Sequence, residues 1–411
     1  MKKIILFASL AALLTAVYGY FLPESITIEQ GKSRALEFSL PLRASVSGGD
    51  MQVLNINNAP ASINQNFDAS GSVLSANESG KMDIELSLLG VPLKSVSVNV
   101  LPLQEYAASG ETVGIVLDTD GVLVLGTGKV KDAAGNVFEP CRGILHSGDM
   151  IKSINGKRIS SKEELLDEVR NSPFIVKLNI NNSEEVSVRP IVSADGTPMI
   201  GLWVRDSTQG IGTVTYFRKA DGAFGALGHP VNDIDTGELM QIKEGRIYPV
   251  EMDGIVKGEK GMAGELAGRN ITDGEVLGFI TKNCHAGVYG SLTSKGKKFL
   301  PQKTVPIALK ERIHKGSASI LSDIDGKGVK EYEIEVESIN ILGKNTTKGM
   351  VIRVTDPKLI ESTGGIVQGM SGSPILQDGC LIGAVTHVFV NDPTKGYGTF
   401  IETMLAENER Q

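Results

Sequence analysis

The chain is poor in most of the residues on which specialised chemistry rests. Its three cysteines, Cys141, Cys284 and Cys380, lie far apart, which excludes a disulfide framework and any CxxC zinc spacing. Aromatic residues make up 5% of its 411 residues and there is one tryptophan; the formal net charge is −7. Without a basic face or an interleaving of basic and aromatic residues, nucleic-acid binding is excluded. Five histidines are present, so any imidazole chemistry has five candidates: His146, His229, His285, His314 and His387. His285 next to Cys284 has no third ligand clustered with it, so neither a metal nor a cofactor is implied. Glycine, by contrast, is abundant at 48 residues, and 41% of the chain is hydrophobic. That balance suits a loop-rich, mainly β protein of two or three domains.

Only one hydrophobic run is long. Met1-Lys2-Lys3 precedes an apolar stretch to about Leu22, the pattern of an exported chain. Residues 1–22 are thus a signal peptide or a membrane anchor, and Tyr18, Tyr20 and Phe21, placed as an interfacial belt, favour the anchor. Residues 23–101 alternate short β-prone pieces with Gly, Ser and Asn turns and read as a small β domain or stalk. Within it, the turn-rich stretch from about Val46 to Gly80 is expected to be mobile enough to enter a protease cleft.

Residues 106–189 have a different texture. A turn at Gly148-Asp149, a strand, an Asn155-Gly156 hairpin turn and a helix follow one another. Ser160 or Ser161 caps that helix with Glu163 or Glu164 three residues on, and Leu165, Leu166 and Val169 share a face. The order resembles the PDZ domains of bacterial exported proteases, which bind peptide or protein C-termini by strand addition. The candidate loop for the terminal carboxylate contains Gly110, Val113, Gly114 and Ile115.

Residues 190–411 carry the chemistry. Gly369-Met370-Ser371-Gly372-Ser373-Pro374 is the turn of a serine nucleophile: the flanking glycines permit the tight backbone path, and the N–H groups of Gly369 and Ser371 can face a developing oxyanion. The β-rich stretches and the Asp378-Gly379 turn that follow match the second barrel of chymotrypsin-like peptidases. A serine hydroxyl needs an imidazole to take its proton. His229, in the small-residue run GALGHPVND, precedes the serine by a long span, as a double barrel requires, and His285 competes with it. His387 suits a pocket wall, and His314 a solvated surface. For the orienting carboxylate, spacing leaves Asp273 and Asp356 both open; Asp233 and Asp235 read as turn residues. Gly365, six residues before the serine, is not an acid, so a preference for Arg or Lys finds no support there.

Taken together, GALGHPVND, NCHAGVYG and GGIVQGMSGSP through GAVTHVF resemble the stage IV sporulation protein B family, serine peptidases of endospore-forming bacteria. The resemblance implies Ser371 as nucleophile, His229 as base and Asp356 as the third triad member, with Asn283 and Thr386 in support. It further implies a chymotrypsin-like double β-barrel and export across the forespore membrane into the intermembrane space. There the enzyme is expected to cleave its own N-terminal region, and then a membrane-bound inhibitor of an intramembrane metalloprotease that processes a pro-sigma factor. The alternative from another class is a membrane-tethered PDZ scaffold with an inactive peptidase-like half.

Overall fold

The computed structural model describes residues 18, 19, 21–102, 104–172, 174–181, 184–272, 274–299, 304–341 and 345–408. The signal or anchor segment therefore lies almost wholly outside the described residues. Among the described residues no helix is long and apolar enough to cross a membrane.

The first unit is a sandwich. A five-stranded sheet, ordered Ser25–Glu29, Val91–Leu101, Gly80–Leu88, Arg43–Gly49 and Asn66–Asp68, packs on a four-stranded one. Along Gly80–Leu88, Met82, Ile84 and Leu86 alternate with more exposed residues, the two-residue period that turns one face of a strand inward. They meet Val46, Leu54, Ile56, Leu74 and Val98 in one core. The stretch 46–80 is thus folded into the sandwich, against the expectation of a mobile segment: its polar residues are the outward half of short strands.

The rest of the chain is two barrels with a module set into the first. A 16-residue strand, Thr112–Thr127 (β1), starts in the first barrel and runs out of it. Beyond it come Met150–Ile154 (β2), the helix Lys162–Arg170 (α1), Val176–Ile180 (β3) and Glu184–Val188 (β4). The chain returns on the 17-residue Leu202–Arg218 (β5), antiparallel to β1 along nearly its whole length. Ala223–Ala226 (β6), Ile242–Tyr248 (β7), a hairpin of Val250–Val256 (β8) and Glu265–Asn270 (β9), Gly278–Cys284 (β10) and Gly287–Leu292 (β11) follow. Pairing closes a ring in the order β1, β7, β10, β11, β6, β5 and back to β1. Val113, Ile115, Leu117, Val214, Phe224, Ile247 and Val288 fill it.

The second barrel is contiguous: Gly316–Ser322 (β12), Lys330–Ile339 (β13), Met350–Val354 (β14), the short helix Pro357–Thr363 (α2), Pro374–Gln377 (β15), Cys380–Phe389 (β16) and Asp392–Phe400 (β17). The six strands close in the order β12, β13, β14, β17, β16, β15.

The inserted module has its own core, in which Val122, Val124, Ile151, Ile154, Leu165, Val169, Leu178 and Ile180 meet Ile200. Ser161 caps α1 by accepting the Glu164 N–H at 3.2 Å, and the Glu164 carboxylate accepts the Ser160 N–H at 2.7 Å. Leu165 and Val169 are buried, four residues apart, whereas Leu166 is exposed and does not share their face. Two expectations are corrected here. The module begins near residue 122 rather than 106, and ends near 204 rather than 189. Gly110, Val113, Gly114 and Ile115 accordingly do not form a peptide-binding loop: Val113, Gly114 and Ile115 pair with both β5 and β7 or pack in the first barrel. Gly110 passes so close to the second barrel that a Cβ there would lie 2.8 Å from the Leu321 backbone.

Candidate active site

The barrels meet along a cleft of about 460 Å³ whose lining includes His229, Ser371, Gly369, Thr386 and His387. The second barrel supplies the nucleophile turn. Gly369 and Gly372 take φ of +95° and +98°, conformations that a residue with a Cβ adopts only under strain. The turn is fastened through its carbonyls. Thr213 of β5 donates from its N–H to Ser371 O at 3.0 Å and from its hydroxyl to Gly369 O at 2.8 Å. Gly372 N–H donates to Val385 O at 2.8 Å, and Ser373 N–H to Met370 O at 3.0 Å. The N–H groups of Gly369 and Ser371 find no acceptor among the described residues. Two free amides beside a serine, on a turn held rigid by its carbonyls, are what an oxyanion requires. Thr213 is a supporting residue that sequence reasoning missed; nothing in GTVTYF marks it, since its role depends on the approach of the other barrel.

The first barrel supplies the imidazole. After β6, Leu227 and Gly228 both take φ of +68°, a double left-handed step that turns His229 into the cleft. The His229 ring nitrogen Nδ1 lies 2.8 Å from the carbonyl oxygen of Pro230. A carbonyl only accepts, so in the neutral ring Nδ1 carries the proton and Nε2 keeps its lone pair, the tautomer a general base needs. Desolvation pulls its pKa below 6.5, opposed by the Pro230 bond, and this keeps the ring neutral at physiological pH. His387 stacks at a ring-centroid distance of 4.9 Å. Its pKa is pushed down to about 4, first by partial desolvation in the cleft wall, although the residue is exposed, then by His229 and Lys348.

Ser371 is half-buried, and its hydroxyl donates to Thr386 O at 2.8 Å rather than to His229. A change of one side-chain torsion frees it, and such bonds are commonly incomplete without substrate. Thr386 is itself pinned by its hydroxyl, which donates to Thr347 O at 2.7 Å. Asn283 of β10 works on the other side. Its amide accepts from Val231 N–H at 2.9 Å and donates to Val231 O at 2.8 Å and Met240 O at 3.0 Å, closing the loop that begins at His229.

Asp356 is not brought to this cleft. It is the N-cap of α2: Oδ1 accepts the N–H groups of Lys358 and Leu359 at 2.8 and 3.0 Å, and Oδ2 that of Glu333 at 3.4 Å. The sequence Asp356-Pro357, with proline at the first helical turn, is a cap-and-start signal, and that is the role the backbone gives it. Among the described residues no carboxylate is hydrogen-bonded to His229; Asp273, the other candidate, lies outside them. His285 is exposed in the turn between β10 and β11, and His314 pairs at the surface with Asp378 at 2.8 Å. Gly365 does not line the cleft, because its backbone packs on Pro393; Ile366 and Val367 line it instead. All three cysteines are free, and burial pushes the Cys141 thiol up to about 12.

Two closed barrels with a serine turn on one and an imidazole on the other define the class of chymotrypsin-like serine endopeptidases. Residues 196–405, just over half of the chain, match the family model described as SpoIVB peptidase S55. The chain belongs to that family. No curated protein matches it. Parts of the chain are similar to solved structures. The PDZ domain of the SdrC-like protein from Listeria monocytogenes is 30% identical over 21% of this chain and 87% of its own, with a TM-score of 0.17. The active form of the Rv3671c protease from M. tuberculosis is 14% identical over 50% of this chain and 76% of its own, with a TM-score of 0.28. The thermostable serine protease AL20 from an extremophilic microorganism is 11% identical over 50% and 93%, with a TM-score of 0.28.

Proposed function

We propose that this serine endopeptidase uses Ser371 and His229 as its catalytic dyad and acts, after export, as a self-cleaving signal between compartments during sporulation. The observation that carries the chemistry is the pairing of two unpartnered amides, on Gly369 and Ser371, with an imidazole whose Nδ1 is fixed on a carbonyl. The Ser371 hydroxyl leaves Thr386 O, gives its proton to His229 Nε2 and attacks the scissile carbonyl. The oxyanion settles on the two free N–H groups. His229 then protonates the leaving amine, and water resolves the acyl-enzyme by the same route. Pro230 O does for the ring's tautomer what a carboxylate does in a triad, though as a neutral acceptor it stabilises the imidazolium less.

The substrate residue before the scissile bond meets Ile366, Val367, Val388, Val390 and Ala263, and among the described residues no Asp, Glu, Lys or Arg lines the cleft. A small or medium apolar residue is the reading that fits. The membership of the SpoIVB family supports the signalling role, with the chain's own N-terminal region and a membrane-bound inhibitor of an intramembrane metalloprotease as substrates. The PDZ-like module is the natural holder of a peptide or protein C-terminus. The apolar residues 4–22 support export into the intermembrane space with a signal or anchor.

A serine-directed fluorophosphonate tests the dyad. Wild type is expected to label at Ser371, Ser371→Ala not at all and His229→Ala at least ~100-fold more slowly. Equal labelling of wild type and Ser371→Ala would remove Ser371 from the mechanism. An immunoblot of the same three exported chains reads self-cleavage: fragments in wild type alone fit it, and identical fragments in all three would show that another protease makes the cuts.

A further inference from the structure

His229 opens a loop, residues 229–240, that is tied at its neck. Asn232 bridges Leu239, Met240 N–H donates to Val231 O at 3.1 Å, and Asn283 spans both sides. The far end of the loop is held from outside the barrel. Arg205 lies on β5 where that strand leaves the inserted module, opposite Leu123 of β1. One arm of its guanidinium donates to the Asp233 carboxylate, and the other reaches Asp235 at 2.7 Å. Asp233 is 2% exposed. Its other oxygen takes the N–H groups of Asp235 and Thr236 at 3.1 and 2.9 Å. Burial works against the Asp233 charge, but the Thr236 amide and the Arg205 guanidinium outweigh it and hold the carboxyl below its ordinary value. Next to Arg205, Asp206 accepts the N–H of Lys162, the first residue of α1, at 2.8 Å.

The guanidinium divides its two arms between the buried Asp233 carboxylate and the half-exposed Asp235 carboxylate, so it ties the loop to β5 at two points and fixes its direction. Arg205, Asp233 and Asp235 stand outside the lining of the cleft that holds His229 and Ser371. This joint connects the start of α1, through β5, to the loop whose first residue is the base. We infer that Arg205 is a positioning residue for His229, acting through Asp233 and Asp235, and that through it the inserted module and the catalytic base move as one body. The inference rests on the Ser371/His229 dyad proposed above.

The test uses the full-length enzyme and a peptide substrate with an apolar residue before the scissile bond, comparing Arg205→Ala, Arg205→Lys and Arg205→Ala/Asp233→Asn with wild type. For Arg205→Ala, kcat is expected to fall about 10- to 100-fold with KM changed less than about threefold, since the cleft walls are untouched. Arg205→Lys, which keeps the charge and can reach one carboxylate, should recover to within about tenfold of wild type. The double variant should lose no more than the single, because the uncompensated carboxylate is gone. The acid limb of the pH profile gives a second reading. Among the described residues the titratable side chains that line the cleft are His229 and His387, with Lys348 bearing on His387. A loosened loop lets water reach His229, so the limb should move up toward 6.5 in Arg205→Ala and stay in place in Arg205→Lys. Full kcat in a folded Arg205→Ala, or a loss matched by the melted fraction with an unmoved acid limb, overturns the inference while fluorophosphonate labelling of wild-type Ser371 still upholds the dyad. Absence of labelling in the wild type overturns both.

Discussion

The two barrels solve the same closure problem from opposite kinds of sequence. The second is written in one stretch: its six strands run in chain order from Gly316 to Phe400, with the helix α2 and the serine turn between β14 and β15. The first is broken. Its strand β1 is separated from its partner β5 by the whole PDZ-like module, and the β8–β9 hairpin leaves it to lie on the other barrel. There Leu266 N–H donates to Gln368 O at 2.9 Å and Gly261 N–H to Val390 O at 2.8 Å. The contiguous barrel presents the proposed nucleophile, Ser371, and its amides. The interrupted one carries the proposed base on a loop tied by Asn283 of its own strand β10 and by Arg205 at the module's exit. Closing a ring across an 80-residue interruption has a larger loop-closure cost, on the order of 1 kcal/mol beyond that of a 20-residue loop. The β1–β5 ladder, which resumes in the module after a register shift between Asp118 and Leu123, offsets part of it.

The contrast is broken most severely at the glycines beside the two reacting residues. A Cβ at Gly372 would lie 2.0 Å from Thr213 O and 2.6 Å from Leu227 N, both backbone atoms, at φ +98°. At Gly228, φ +68°, it would meet the methyls of Thr399 and Thr386 at 2.9 and 3.1 Å, which can give way. Gly372→Ala is expected to lose all cleavage and roughly 3 kcal/mol of stability. Gly228→Ala should lose about 1 kcal/mol and keep measurable activity. Thermal melts and peptide turnover measured side by side check the order; equal losses would mean that the base loop is as rigid as the nucleophile turn.

The same locality decided what could be read in advance. Gly369 to Pro374 needs only its own six residues to be recognised, because the positive φ values and the free amides follow from where the glycines stand. His229 was singled out by its small neighbours and by family likeness. Its strut Arg205 could not be, since the contact joins the module's exit strand to a turn that looked self-sufficient. The module's limits were misplaced because β1 is a single strand across the border of barrel and module, marked by Asp118-Thr119-Asp120-Gly121 where its register on β5 shifts, so Val113 to Ile115 read as the start of the wrong unit. Asp356 shows the opposite failure. Its local sequence announces a helix cap, the resemblance announces a triad member, and the backbone follows the local signal.

A milder probe is pH. An unshifted imidazole base would be half protonated at about 6.5, with kcat/KM halved there. Desolvation lowers the His229 value, so activity should hold through pH 6.5 and fall only as pH drops through the depressed value. Stability has the same sign. His387, at about 4, and His229 take up protons more readily in the unfolded chain than in the folded one. The folded state therefore loses stability as pH falls from 6.5 toward 4. An acid limb centred at 6.5 or above would show that His229 is more open to water than its place in the cleft implies.

The smallest expected effect is at Asp356, and it bears most directly on how the base is oriented. As a helix cap, Asp356→Ala should cost about 1 kcal/mol in a thermal or denaturant melt, and Asp356→Asn, which keeps the accepting oxygen, a few tenths. Neither change reaches the His229 ring, whose Nδ1 is held by Pro230 O, so kcat/KM for Asp356→Asn should stay within about threefold of wild type. A carboxylate that stabilised the imidazolium would behave otherwise: its amide would cost about 10⁴-fold in kcat with almost no change in melting. That outcome would require the α2 start to unwind and carry Asp356 to the cleft during turnover, and the first barrel's base would then be oriented by a residue of the second.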